Sequence, residues 1–471
     1  MVADDTLNPL MELQRKRRTV RPTGPPDGGY GWFIVLSTFL VFGLTFGVIK
    51  SFGVFFVEIH HYFATTVTAS SWITSIAVAT LHFGAPIGSA LSAYFSHRCV
   101  VIVGGLLSSI GMVAGSRAQD LMQLYITVGF LTGFGYALTW TPTVTMLGWY
   151  FEKRRPVANA LASTGECILT FILTPSFQFL VDQFSWRGAM LILGALQLNL
   201  CLCGALLRPL DREVPAKELA ANGKDLELET LSQTYTRKIS ANRPSPEQNS
   251  ELLKTKIIRY VDYTLIANGR FMVYSMFGVF AALGFFAPSL FLVPYARSKG
   301  VEEYQAASLM SISSALDLSG RLIFGWVANL RLVKTIHQLF VSVILLAVIL
   351  LLCPLAATFT HLALFSASYG LVFGATVAIH ITVLAEVVGV EKLGSALGFF
   401  MLIRSSGGLL GPPLAGIFID EMNDYGVGFL MAGVALIVSA LFLLLLHQMN
   451  KKGQHKRKDS AMENESRKVD I

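Results

Sequence analysis

Charged side chains are scarce in this sequence: Asp, Glu, Lys and Arg make up 14% of its 471 residues. Water-soluble domains carry about a quarter. With 53% hydrophobic residues, a soluble fold would leave far more apolar surface exposed than water tolerates. Cysteine is also sparse. The five present (Cys99, Cys167, Cys201, Cys203, Cys353) sit in or beside apolar stretches without the paired spacing of a disulfide framework or a metal site. No phosphate-binding glycine loop, metal motif or nucleophile triad is visible, so the sequence gives no sign of an enzyme, a metal or a cofactor. The strict polar–apolar alternation of a membrane barrel is missing as well. The formal charge of +7 does not point to nucleic acid, because the basic residues lie at the ends of apolar runs rather than on one soluble face.

Long apolar runs are what the chain has in abundance. Crossing a bilayer in a helix takes about 20 residues, and runs of that kind recur near 31–56, 71–94, 100–117, 122–149, 156–181 and 188–207. A second set follows near 271–296, 304–328, 335–355, 361–387, 394–418 and 426–448. The spacing predicts an all-α membrane protein with twelve transmembrane helices in two six-helix bundles. The bundles would comprise residues 31–207 and 271–448, joined by a polar linker at 208–270 and flanked by tails at 1–30 and 449–471. Arg15, Lys16, Arg17, Arg18 and Arg21 precede the first run, which is too long for a cleaved signal segment, so the first helix is expected to stay. Lys and Arg collect in both tails and the linker, at Arg98, Lys153 to Arg155, Arg331, Lys334 and Lys392. These alternate onto one side, which the positive-inside rule makes cytoplasmic, with both termini there. Arg117, Arg187, Arg297 and Lys299 fall on the opposite side. Two six-helix halves around such a linker are the layout of the major facilitator fold, whose sites lie near mid-membrane between the halves. A faint internal echo fits a duplication: residues 88–98 close the second span and 320–331 the eighth with related Gly and Arg placement.

An ionised side chain inside a span costs roughly 2.5–3.5 kcal/mol, so each deep one needs a partner or a purpose. Lys50, late in the first span, reads as a substrate or proton group rather than as a lysine reaching for the interface. Asp317 and Arg321, four residues apart in the eighth span, share a helical face at ion-pair distance. They form either a structural pair or a switch in which protonating Asp317 frees Arg321 for an anion, and the switch suits a transporter better. Arg404 in the eleventh span needs a carboxylate from another helix, and Glu166 in the fifth is a candidate. Arg404 and Glu166 serve either function or packing. His380 reads as a core histidine before a proton carrier. Arg154, Arg155 and Asn159 open the fifth span after a basic stretch; they make a membrane-edge cluster, or one arginine reaches the cavity.

Several segments resemble the monocarboxylate transporters of the major facilitator superfamily. They are residues 27–32 (Asp-Gly-Gly-Tyr-Gly-Trp), 150–160 (Tyr-Phe-Glu-Lys-Arg-Arg-Pro-Val-Ala-Asn-Ala), 184–188 (Phe-Ser-Trp-Arg-Gly), 284–288 (Gly-Phe-Phe-Ala-Pro) and 411–416 (Gly-Pro-Pro-Leu-Ala-Gly). The resemblance implies a plasma-membrane, proton-coupled symporter of lactate, pyruvate or ketone-body-like anions that works by alternating access. It places the family's first-helix lysine at Lys50 and its eighth-helix acid and arginine at Asp317 and Arg321. The cavity-lining arginine and asparagine of the fifth helix correspond to Arg155 and Asn159. By this analogy, substrate and proton enter near Lys50, and Asp317 takes the proton and releases Arg321 to the carboxylate. Three positions depart from the lactate branch: Phe46 stands for a tyrosine, Ile381 and Thr382 for a Phe-Glu pair, and Arg404 for an acid. A bulkier or more polar carboxylate is therefore also compatible. Other branches carry amino acids, iodothyronines or creatine without proton coupling, and a proton-independent carrier is the alternative reading. Besides substrate, proton and membrane lipid, the resemblance implies a single-span immunoglobulin-type glycoprotein as an ancillary partner.

Overall fold

The computed structural model describes residues 27–151, 154–208, 265–330, 333–389 and 393–469. Most of the linker expected at 208–270 and residues 1–26 of the N-terminal tail fall outside the described residues. Ten helical segments are long and apolar enough to cross a membrane. One of them, Val157–Leu206, holds two crossings because the helix breaks at Ser185 (φ 60°, ψ 170°). Glu303–Asn329 has membrane length but is diluted by Glu303, Asp317, Arg321 and five serines. Twelve membrane-length helices result among the described residues.

The first, α1, runs through Gly31–Phe42, a π turn at Gly43–Gly47, then Val48–Ser51 and Gly53–Phe63. Then come α2 (Val67–Tyr94), α3 (His97–Gly115), and α4, which combines Leu121–Leu124, a second π stretch at Tyr125–Leu131, and Thr132–Tyr150. The run Arg155–Gln197 gives α5 before Ser185 and α6 after it, and α6 continues through Asn199–Leu206. The second half holds α7 (Gly269–Ser298), α8 (Glu303–Asn329), α9 (Thr335–Leu352), α10 (Phe359–Val388), α11 (Leu393–Met422) and α12 (Tyr425–Val469). The last helix continues about six turns beyond the apolar run expected to end near 448. Its basic end thus prolongs the helix rather than leaving it.

Local chemistry explains where helices start and stop. Thr66 and Ser96 accept the Ala69 and Cys99 amides at 3.1 and 3.2 Å, capping α2 and α3. Asn268 and Thr358 do the same for α7 and α10. Apolar side chains such as Ile110, Phe130, Leu345, Leu364 and Leu441 stand exposed on the outside of the bundle, where a bilayer solvates them. Two of the sequence motifs meet at one end: the Asp27 amide donates to the Tyr150 carbonyl at 3.1 Å, and the Asp27 carboxylate accepts the Arg154 amide at 3.3 Å. At the opposite end, Trp186 after the Ser185 break is buried against Tyr62, and Arg187 donates to the Ala118 carbonyl at 2.9 Å. The break in α5–α6 is thereby pinned by aromatic and arginine contacts.

Polar contacts join the halves at that same end. Arg297 at the close of α7 donates to Glu58 of α1 at 3.1 Å and pairs with Glu303 on its own half. Gln178 of α5 donates to Glu303 at 3.2 Å. Asp420 of α11 accepts the Val67 and Thr68 amides at 2.8 and 2.9 Å and the Thr68 hydroxyl at 2.6 Å. A carboxylate there satisfies the free amides of the α2 N-terminus and lies at the positive end of its dipole.

Candidate functional site

At mid-height four ionised side chains close into a ring across the two halves. Lys50 lies 2.7 Å from Glu166 and 2.9 Å from Asp317. Arg321 donates from Nε to Asp317 Oδ1 at 2.7 Å, and from one terminal nitrogen to Asp317 Oδ2 at 3.1 Å and Glu166 Oε2 at 2.9 Å. Its other terminal nitrogen donates to the Ser163 carbonyl at 3.3 Å. Two cations meet two carboxylates, so the ring is neutral. Exposure of the four side chains runs from 3% for Asp317 through 7% for Arg321 and 11% for Glu166 to 15% for Lys50. In so dry a setting an unmatched charge would cost several kcal/mol, and the closed pairing removes that cost.

Backbone packing places each member. The π turn at Gly43–Gly47 shifts the register of α1 just before Lys50, a disruption found often at functional positions. Next to Glu166, Gly165 lets α5 lie on the α1 backbone, since a Cβ there would collide with the Phe39 carbonyl. On the other half, Gly374 of α10 lies against α8, where a Cβ would collide with the Asp317 carbonyl oxygen itself. Asp317 and Arg321 thus sit on a helix clamped to its neighbour. The Lys50 ammonium also lies over the Phe373 ring, 4.6 Å from its centre. A cavity beside the ring is lined by Lys50, Asp317, Ser289, Ser314, Tyr369 and Phe373.

The residues singled out from sequence distribute unevenly around this ring. Lys50, Asp317 and Arg321 come together in it. Glu166, expected as a partner for Arg404, instead bridges Lys50 and Arg321, because α5 packs on α8 whereas α11 packs on α2. Arg404 lies 5.9 Å from the centre of the Phe285 ring, and among the described residues no carboxylate is within ion-pair distance of it. Phe46 packs on Trp140 at 5.8 Å and near His82 at 6.5 Å. His380 turns Nδ1 to the Val377 carbonyl at 2.8 Å, as a satisfied core histidine does. Ile381 and Asn159 are exposed, and the side chain of Arg155 lies outside the described residues. Sequence reasoning missed Phe373 and Tyr369, which carry no signal beyond an apolar span. It also missed His82, a buried polar residue in the middle of α2 whose position alone could have drawn notice.

The comparisons with known proteins agree with this architecture. The profile of the Major Facilitator Superfamily matches residues 35–356 and 335–469. Monocarboxylate transporter 2 of Homo sapiens is 36% identical over 429 residues, spanning 90% of this chain and 87% of its own. Monocarboxylate transporter 7 of Homo sapiens is 37% identical over the same shares of the two chains. Monocarboxylate transporter 12 of Mus musculus is 38% identical, covering 89% of this chain and 86% of its own. Among solved structures, a bacterial homologue of the human lysosomal transporter Spinster, inward-facing and occupied, superposes with a TM-score of 0.64 at 16% identity. It covers 89% of this chain and 98% of its own. The nucleoside transporter NupG superposes with a TM-score of 0.62 at 14% identity, covering 89% of this chain and all of its own. These last two speak to the fold alone. A twelve-helix bundle with a buried charge ring between its halves, and relatives of this identity over nearly the whole length, lead to one assignment: the chain belongs to the monocarboxylate transporter family of the major facilitator superfamily, a family of membrane transporters rather than enzymes.

Proposed function

We propose that the protein is a proton-coupled symporter of small monocarboxylates such as lactate, pyruvate and ketone-body-like anions, working by alternating access in the plasma membrane with both termini in the cytoplasm. The observation that carries this reading is the neutral ring of Lys50, Glu166, Asp317 and Arg321 at mid-height between the halves. A bare anion added to a neutral ring in a low-dielectric site would leave one negative charge without a partner. A proton arriving with it restores neutrality, and the membrane potential then neither drives nor opposes the loaded complex. In this reading Lys50 and Arg321 hold the carboxylate, and one of the two ring carboxylates takes the proton.

The contacts that join the halves at the Glu58, Asp420 and Arg297 end support a carrier closed on that side, which the positive-inside rule makes the outside. Loosening those contacts and closing the opposite end is the motion that alternating access requires. The cavity candidates Phe46, Arg155, Asn159, Ile381 and Arg404 then shape the path rather than the charge exchange. As in the lactate branch that the sequence resembles, a single-span immunoglobulin-type glycoprotein assists delivery to the surface.

Uptake of labelled lactate, pyruvate and 3-hydroxybutyrate into proteoliposomes tests the reading. An inward proton gradient should accelerate uptake, and collapsing that gradient with a protonophore should abolish the acceleration. The alternative, a proton-independent carrier of another carboxylate or amino-acid-like solute, draws on Arg404, a deep cation already free of carboxylate partners among the described residues. Uptake of such a solute that ignores the gradient would favour it.

A further inference from the structure

Building on the symport reading, we propose that Glu166 is the proton-carrying group of the ring and a built-in stand-in for the substrate carboxylate. Its two oxygens are divided between the two cations: Oε1 takes Lys50 at 2.7 Å and Oε2 takes Arg321 at 2.9 Å. A monocarboxylate needs that same pair of donors. While Glu166 is ionised the donors are occupied, and once it is protonated both turn to the incoming anion together.

The two ring carboxylates differ in the ways that matter. Asp317 accepts three hydrogen bonds, two of them from the Arg321 fork one turn along its own helix, and its side chain is 3% exposed. That pair lies on one helix and persists however the halves move. Glu166 accepts two, one of them across the interface, and is 11% exposed. The more weakly held and more accessible carboxylate is the one that a proton reaches and that an anion can displace. The charged and titratable groups facing it are Lys50 from α1, Asp317 and Arg321 from α8 and Cys167 on its own helix, with Arg404 of α11 at longer range.

Charge stays balanced through the cycle. One proton enters on Glu166 and one anion enters between Lys50 and Arg321, while Asp317 keeps hold of both cations. Deprotonation after the halves have moved lets Glu166 reclaim its two partners and expel the anion. The cluster also divides cleanly, with Lys50–Glu166 within the first half and Asp317–Arg321 within the second. In the unloaded ring each half is therefore neutral by itself, and in the loaded ring the incoming anion supplies the charge that protonated Glu166 gives up.

Glu166→Gln tests this, with the wild-type protein establishing symport in the same assay. At matched surface level, the variant should exchange labelled lactate for internal lactate at a rate that no longer varies with pH. Its proton uptake per substrate should fall from one to none. Proton uptake at the wild-type ratio, or exchange with the wild-type pH profile, would overturn the proposal. Should Glu166→Gln not reach the surface, Glu166→Asp decides: a displaced pH midpoint with coupling retained supports the role, and an unchanged profile refutes it. Failure of the wild-type protein to take up protons with substrate would instead sink the symport reading itself.

Discussion

Replacing Arg321 with lysine keeps the charge and removes the fork, which makes it a sharp test of the ring. Arg321 spreads four hydrogen bonds over Asp317, Glu166 and Ser163, with two of them clasping Asp317 side by side. A lysine ammonium is a point charge on a longer, looser stem and cannot clasp one carboxylate and reach the second in the same geometry. Hydrogen bonds to charged groups contribute about 1.5–3 kcal/mol each. Losing two would cost about 3–6 kcal/mol if they were independent, and less within a shared network. That loss falls on stability; the substrate carboxylate, by losing one charged hydrogen bond of about 1.5–3 kcal/mol to the fork, should bind about ten- to a hundredfold more weakly. The assay is concentration-dependent uptake of labelled substrate by Arg321→Lys, normalised to surface protein and accompanied by a thermal melt in detergent. The melt should move down, because a buried carboxylate is left short of a partner. Uptake within about twofold of wild type, an effect well under 1 kcal/mol, would refute the claim that the fork organises the site.

Three further outcomes follow from other contacts. Gly374→Ala places a methyl against the Asp317 carbonyl and should destabilise the α8–α10 interface by about 1–3 kcal/mol, seen as a lowered melting temperature together with reduced uptake. Asp420→Asn weakens the three contacts at the start of α2, and should raise the labelling rate of a cysteine introduced at Ser289 by a membrane-impermeant thiol reagent added outside. Phe373→Leu removes the ring over Lys50, a contact of about 1 kcal/mol, and should raise KM severalfold with surface level unchanged.

The crossings were legible because a bilayer demands runs of a set length, and the pair Asp317 and Arg321 because helical geometry brings residues four apart onto one face. What lay beyond local geometry was not. The two crossings on either side of Ser185 were separable in the sequence, near 181 and 188, but not the single residue at positive φ that divides them within one continuous run of helix. The pairing of Glu166 is decided by which helices face each other: α5 meets α8, where Ser311 donates to the Phe171 carbonyl, while Arg404 sits on a helix that meets α2. An acid in an apolar span signals the need for a partner without naming it. The tail expected at 449–471 lies beyond the last apolar run, where the bilayer makes no demand for a helix. Its Lys, Glu, Met and Arg are nonetheless good helix formers, and they extend α12 to Val469.

The most direct test of the neutral ring as a coupling device is to record cytosolic pH and membrane current together while a monocarboxylate is applied to a cell expressing the protein. Neutral loading predicts prompt acidification with no substrate-evoked current, in proportion to the labelled substrate taken up. Uptake without acidification, or acidification carried by a current, would contradict it.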